Sequence, residues 1–170
     1  PYKNTAAMEA YPPNVELCRQ TLLPLVIDFR PGDGKKPPFE DTSFDLVINR
    51  HGDFDAQEIY RILKPGGRFI FDVNSPYKLR RMDGQMYMDE TEDSFCVWRT
   101  FFSERTQICT YQVDLFRLNE DESWEREFEE HRERAWTEEE LRTYLTDAGF
   151  TDIVISGDMT RRPPKADEDR

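Results

Sequence analysis

Two short polar stretches, Asn49-Arg50-His51-Gly52 and Asn74-Ser75 with Tyr77 just beyond, each follow an apolar run. Their residue types can hold a ligand and move a proton. His51 has an unperturbed pKa near neutrality, so it could take a proton from a hydroxyl or an amine. A loop histidine that merely hydrogen-bonds backbone would leave the same trace. Asn74, Ser75 and Tyr77 offer amide and hydroxyl groups that could line a small-molecule pocket. The second histidine, His131, stands in a run of Glu and Arg and reads as solvated or ion-paired. Trp98, Phe101, Phe102 and Tyr111 read as sheet packing or, alternatively, as the wall of an aromatic pocket. Cys18, Cys96 and Cys109 show no CxxC spacing and sit in apolar patterns, which argues against disulfides and a metal site and fits a reducing cytoplasm.

The polar stretches need strand ends to hold them. Phe44, Leu46, Val47 and Ile48 form a largely apolar run, the pattern of a strand covered on both faces and hence of a parallel sheet. Ala56, Ile59, Tyr60 and Leu63 then recur at helical spacing behind Asp55, which can cap the first turn with Glu58 three residues on. Lys64-Pro65-Gly66-Gly67 ends the helix and turns the chain into a second strand, Arg68 to Val73. This is one βαβ unit, and in open α/β sheets ligands bind at the carboxyl ends of the strands. Both polar stretches fall there.

Around this unit the pattern is plainer. Asn14 is a good N-cap for a helix with Val15, Cys18, Leu22 and Leu25 on one face, followed by a strand from Leu25 to Phe29. Pro31-Gly32-Asp33-Gly34 is a turn, and residues 75–92 read as a mobile polar cover. Between Ser94 and Leu118 the period becomes two, predicting a β-hairpin around "SERT". "WEREFEEHRERAW" is open between a solvated helix and a further strand. Thr137 and Glu140 match a capping box, Trp136 and Leu141 a hydrophobic staple, and Gly149 the stop of a helix that buries Leu141, Tyr144, Leu145 and Ala148. Phe150 to Ser156 reads as a strand.

The lead-in "PFEDTSFDLV", the helix ending in "LKPGG" and the strand "RFIFDV" together resemble the middle of a class I S-adenosylmethionine-dependent methyltransferase. The resemblance spans about Glu9 to Asp158. It implies an α/β fold, a Rossmann-like, doubly wound, mostly parallel sheet with an inserted antiparallel β segment at 94–135, within a single domain over 1–170 and with a disordered or extended tail at 159–170. It favours strand for "WEREFEEHRERAW". It also implies S-adenosyl-L-methionine as cofactor, with Glu9 accepting the ribose hydroxyls, Asp33-Gly34 against the adenine, Asn49 and Arg50 beneath the cofactor, and Asn74, Ser75 and Tyr77 toward the acceptor. A surface glutamate and an ordinary turn aspartate are the plain alternatives for Glu9 and Asp33.

The 35 acidic residues outweigh 23 basic ones to give a net charge of −12, which repels phosphate backbones and makes a small molecule the expected substrate rather than nucleic acid. No run approaches the length of a membrane span, and no leader pattern opens the sequence. The sequence departs from the resembled family in two places. No GxGxG loop occurs anywhere, and no final apolar strand follows "ADEDR". In the sheet order 3-2-1-4-5-7-6 these absences are the interior strands 1 and 7, so the sequence reads as a fragment, or as a non-catalytic remnant serving as a binding or interaction module. A nicotinamide-dependent oxidoreductase would need its own glycine fingerprint, which is missing too.

Overall fold

The computed structural model describes residues 4–50 and 52–169. The chain divides into two compact units, one made of residues 1–72 and 142–153 and the other of residues 73–141 and 154–170.

The first unit contains β1 (Ala6–Glu9), α1 (Pro12–Leu22), a 3-10 turn (Leu23–Leu25), β2 (Asp28–Pro31), β3 (Phe44–Asn49), α2 (Ala56–Ile62) and β4 (Leu63–Phe71). Its strands form two separate parallel pairs, β1 with β2 and β3 with β4. The α1 helix starts two residues ahead of the predicted cap Asn14, because a proline in the first turn needs no N–H partner. The second strand runs from Asp28 rather than Leu25: Leu25 closes the 3-10 turn and Val26 has a φ of 59°, outside strand conformation.

In the β3–β4 pair Val47 lies opposite Phe69 and Asn49 opposite Phe71. The Phe54 ring packs 5.0 Å from that of Phe69 and 4.9 Å from that of Phe71, while Phe150 lies 5.8 Å from Phe69. That face is covered. The other is not, since Ile48 is 61% and Ile70 54% exposed. The prediction of a strand buried on both faces is thus met on one, because among the described residues the aromatic cover sits on one side only. Asp55 caps α2 by accepting from the Gln57 and Glu58 amides. Glu58 does not complete the capping box; its carboxylate pairs with Arg61 at 2.8 Å, and the Asp55 amide donates instead to the Gly34 carbonyl. Gly66, expected in a turn ahead of the strand, lies inside β4 at φ 78°, where the β3–β4 register shifts between Phe44–Leu63 and Leu46–Arg68, and Gly149 ends α4 (Glu138–Asp147) at φ 104°; both are left-handed conformations that favour glycine. Residues 151–155 form no strand, for no described strand lies beside them to pair with.

The second unit is built on an antiparallel sheet of four strands in sequence order: β5 (Met86–Glu90), β6 (Ser94–Ser103), β7 (Ile108–Leu118) and β8 (Trp124–Arg134). The stretch Trp124 to Arg134 is therefore a strand, anchored by pairing along its whole length with β7 rather than by its own apolar residues. Residues 75–92, read from the sequence as a loop-like cover, hold α3 (Pro76–Arg81) and β5. Ser75 accepts from the Lys78 amide ahead of Pro76, a cap-and-proline start that sequence alone could have shown. The core of this unit is Leu79, Cys109 and Ala135, with Phe102 and Tyr111 packed against it. Thr137 and Glu140 form the full capping box, each accepting from the other's amide. Residues 159–169 carry no helix or strand and are tied to α3 where the Ser75 amide donates to the Asp169 carbonyl and Arg81 pairs with the Asp169 carboxylate.

Asp114 is the buried acid of this sheet. Its carboxylate accepts from Arg126 and Arg99, and these bonds, that from Arg126 first, hold its pKa below the ordinary 3.8. A carboxyl whose pKa is depressed by folding stabilises the fold above its ordinary value and loses that contribution as pH falls through the folded value. The melting temperature of the parent should therefore fall more steeply than that of Asp114→Asn between about pH 5 and about pH 2. Parallel acid limbs in thermal scans would contradict it.

Candidate functional site

In the first unit, Glu9 closes β1, Asp33 follows β2 by two residues and Asn49 closes β3. An isolated parallel bridge between Gly34 and Phe54 joins the segment after β2 to the segment after β3. It brings the carboxyl ends of β2 and β3 together, and β1 runs parallel to β2 with Glu9 opposite Pro31. Glu9, Asp33 and Asn49 thus share one end of the unit.

Their hydrogen bonds differ. The half-buried Glu9 accepts the Tyr11 amide on Oε1 at 2.8 Å, which fixes the carboxylate's direction. Asp33 accepts the Lys35 amide at 2.9 Å and the Lys36 amide at 3.1 Å on Oδ1, the geometry of a turn aspartate. Gly34 is buried, and a Cβ there would lie 2.4 Å from the Asp53 carbonyl oxygen, so protein backbone fills the space beside it. The Asn49 Nδ2 donates to the Gly52 carbonyl at 2.7 Å. Arg50 is exposed. His51 lies outside the described residues.

The second unit holds Asn74, Ser75 and Tyr77. Asn74 Nδ2 donates to both oxygens of Glu133, at 2.8 and 2.9 Å, while its carbonyl accepts from Lys78 Nζ at 2.8 Å. The Tyr111 hydroxyl donates to Glu133 at 2.8 Å. Burial first, and then Glu133, push the Tyr111 phenol well above its ordinary value, so it stays a donor. Ser75 is spent on the α3 cap and on the Glu168 carbonyl, and the Tyr77 ring lies 5.4 Å beneath the Arg81 guanidinium. Lys78 and Glu133 were not among the residues singled out from sequence, and Tyr111 was read there only as sheet packing or a pocket wall, not as a partner of Glu133. The four-residue spacing of Asn74 and Lys78 was the one local signal for the first of them. His131 is exposed beside Glu129 at 2.9 Å. Among the described residues no cluster of His, Cys, Asp and Glu could hold a metal ion, and no helix is long and apolar enough to cross a membrane.

Comparison with known proteins bears on the fold. The family model described as a methyltransferase domain matches residues 2–71. A methyltransferase of Clostridium acetobutylicum ATCC 824, described as S-adenosylmethionine-dependent, superposes with a TM-score of 0.69 at 23% identity over 86% of this chain and 63% of its own. The fold is that of the class I S-adenosylmethionine-dependent methyltransferases. An amino pentose methyltransferase of Micromonospora echinaspora, solved with S-adenosylmethionine bound, matches 95% of this chain and 72% of its own at a TM-score of 0.62 and 18% identity. A candidate methyltransferase of Geobacillus sp. (strain WCH70) is 27% identical over 113 residues, 66% of this chain. The chain spans about half the length of that curated relative, 46%.

Proposed function

We propose that this chain acts in S-adenosylmethionine-dependent methyl transfer to a small-molecule acceptor, as a single domain over 1–170 with 94–135 inserted and 159–170 as its tail. The observation that carries the reading is Glu9, a half-buried carboxylate with its direction fixed by the Tyr11 amide, at the end of β1 beside the segment carrying Asp33. A carboxylate's two oxygens can accept both hydroxyls of a ribose. The residues present fit the ribose end of the cofactor. The methionine end has no counterpart among them, because the sequence contains no glycine-rich loop.

When bound, S-adenosylmethionine supplies a methyl on a positively charged sulfur, in line with a lone pair of the acceptor. In the proposed assignment Glu9 holds the ribose, Asp33-Gly34 borders the adenine, and Asn49 and Arg50 lie beneath. Asn74, Ser75 and Tyr77 orient the acceptor, and His51 takes the proton that the acceptor loses. The charge of −12 supports a small molecule over nucleic acid, and the three free thiols support a cytoplasmic location. The second reading is a non-catalytic remnant that binds a partner.

Calorimetry separates the two. A loop giving several backbone hydrogen bonds, each worth about 0.5–1.5 kcal/mol net, accounts for on the order of a hundredfold in affinity. The 170-residue chain should bind S-adenosylmethionine weakly. With a glycine-rich strand and loop added ahead of Pro1 it should bind well, and Glu9→Ala should then weaken binding about tenfold. An extended chain indifferent to Glu9→Ala would remove the ribose assignment, and one that binds no cofactor at all favours the remnant.

A further inference from the structure

We infer that the second unit carries a binding pocket for a flat, anionic small molecule between α3 and the β5–β6 edge of the sheet. A cavity of about 480 Å³ opens there, lined by Lys78, Arg81, Met82, Gln85, Tyr87 and Trp98. Tyr87 and Trp98 lie opposite each other in the β5–β6 register, with rings stacked 5.5 Å apart and tilted by 20°. They make a flat platform, and Tyr87 is 37% exposed and so within reach of a ligand. An aromatic face of this kind favours another flat ring.

The wall beside the platform is fixed in place. Thr100, fully buried, donates its hydroxyl to the Met82 carbonyl and its amide to the Gln85 carbonyl at 3.0 Å, and accepts from the Gly84 amide at 2.9 Å. The Tyr111 hydroxyl lies 3.9 Å from the Met82 sulfur. The turn from Met82 to Gln85 is therefore bound to β6 before any ligand arrives, which lowers the ordering cost of binding.

Charge sets the ligand's sign. In a chain with 35 acidic residues against 23 basic ones, the cavity lining among the described residues has two cations and no acid. Arg81 is already paired with Asp169 at 2.9 Å. Lys78 instead gives one N–H to the neutral Asn74 carbonyl, and among the described residues no carboxylate lies within ion-pair distance of it. Its ammonium keeps two donors for a carboxylate or phosphate. The pocket's role as the acceptor site rests on the methyl-transfer reading; its capacity to hold such a ligand does not.

Cinnamate, a flat carboxylate, and the uncharged cinnamamide serve as probes on the 170-residue chain, read by the indole N–H resonance of Trp98. Cinnamate should shift this resonance saturably and bind about tenfold tighter than cinnamamide, the worth of one charge-assisted hydrogen bond. In Lys78→Met, on the surface of α3 and expected to fold, the two probes should bind equally. No saturable shift at Trp98, equal affinities in the parent, or an unchanged preference in Lys78→Met would each overturn the inference. Calorimetry with S-adenosylmethionine is a separate measurement, so methyl transfer can fail while the pocket stands.

Discussion

Leu79→Ala is expected to destabilise the chain by about 2–5 kcal/mol, seen as a melting temperature lower by roughly 5–15 °C in thermal circular dichroism. Leu79 is 0% exposed and forms the core of the second unit with Cys109 and Ala135, with Phe102 and Tyr111 packed around it. Removing the isobutyl group loses its transfer free energy and leaves a cavity. The sheet side of that cavity is held by β-ladder hydrogen bonds on both flanks of β7, so it can collapse little. The α3 helix has only six residues, too few to be stable without its buried side chain. Cinnamate binding should therefore weaken as well, since Lys78 and Arg81 ride on the same helix. A variant that melts within a degree of the parent would show that α3 is held by its cap and the Asp169 contacts instead.

How much of this was legible in the sequence depended on whether the stabilising contacts were local. The βαβ unit was readable because Asp55, the helical spacing of Ala56 and Ile59, and Gly66 act within a few residues of one another. The capping box of Thr137 and Glu140 was readable for the same reason. The strand at Trp124–Arg134 was ambiguous because its eight charged residues out of eleven carry no period, and its conformation is imposed by the ladder with β7. The predicted strand at Phe150 to Ser156 failed by the same logic in reverse: apolar residues suit a strand, but a strand exists only beside another. At the site, Glu9 and Asn49 were read at strand ends and Asp33 in the turn after one, whereas Glu133 was invisible and Tyr111 was read only as packing or a pocket wall. Glu133 is one of many acids in its strand, and only pairing across 59 residues to Asn74 distinguishes it.

Gly34→Ala is the corresponding test of the first unit, and it is expected to cost about 2–4 kcal/mol. The glycine is required by proximity, not by its φ. An added Cβ would meet the Asp53 carbonyl oxygen at 2.4 Å and the Phe54 Cβ and Cα at 3.0 and 3.1 Å. None of these is the far end of a flexible side chain. Phe54 cannot retreat readily, because its ring is packed against Phe69, Phe71 and Tyr144. The segment after β2 must move instead, which breaks the Gly34–Phe54 bridge and the 3.0 Å bond from the Asp55 amide to the Gly34 carbonyl. The cap residue of α2 then loses its backbone partner, and Asp33 loses its fixed relation to the end of β3. In the extended chain, S-adenosylmethionine affinity should fall along with the melting temperature. Lys35→Ala removes only the exposed ion pair with Asp53 and should change stability little, which makes it the control for the same loop. If Gly34→Ala melts like the parent, the close approach at Asp53 is not what holds the two strand ends together. If it melts lower but binds the cofactor undiminished, the bridge serves the fold alone and the adenine role of Asp33-Gly34 falls.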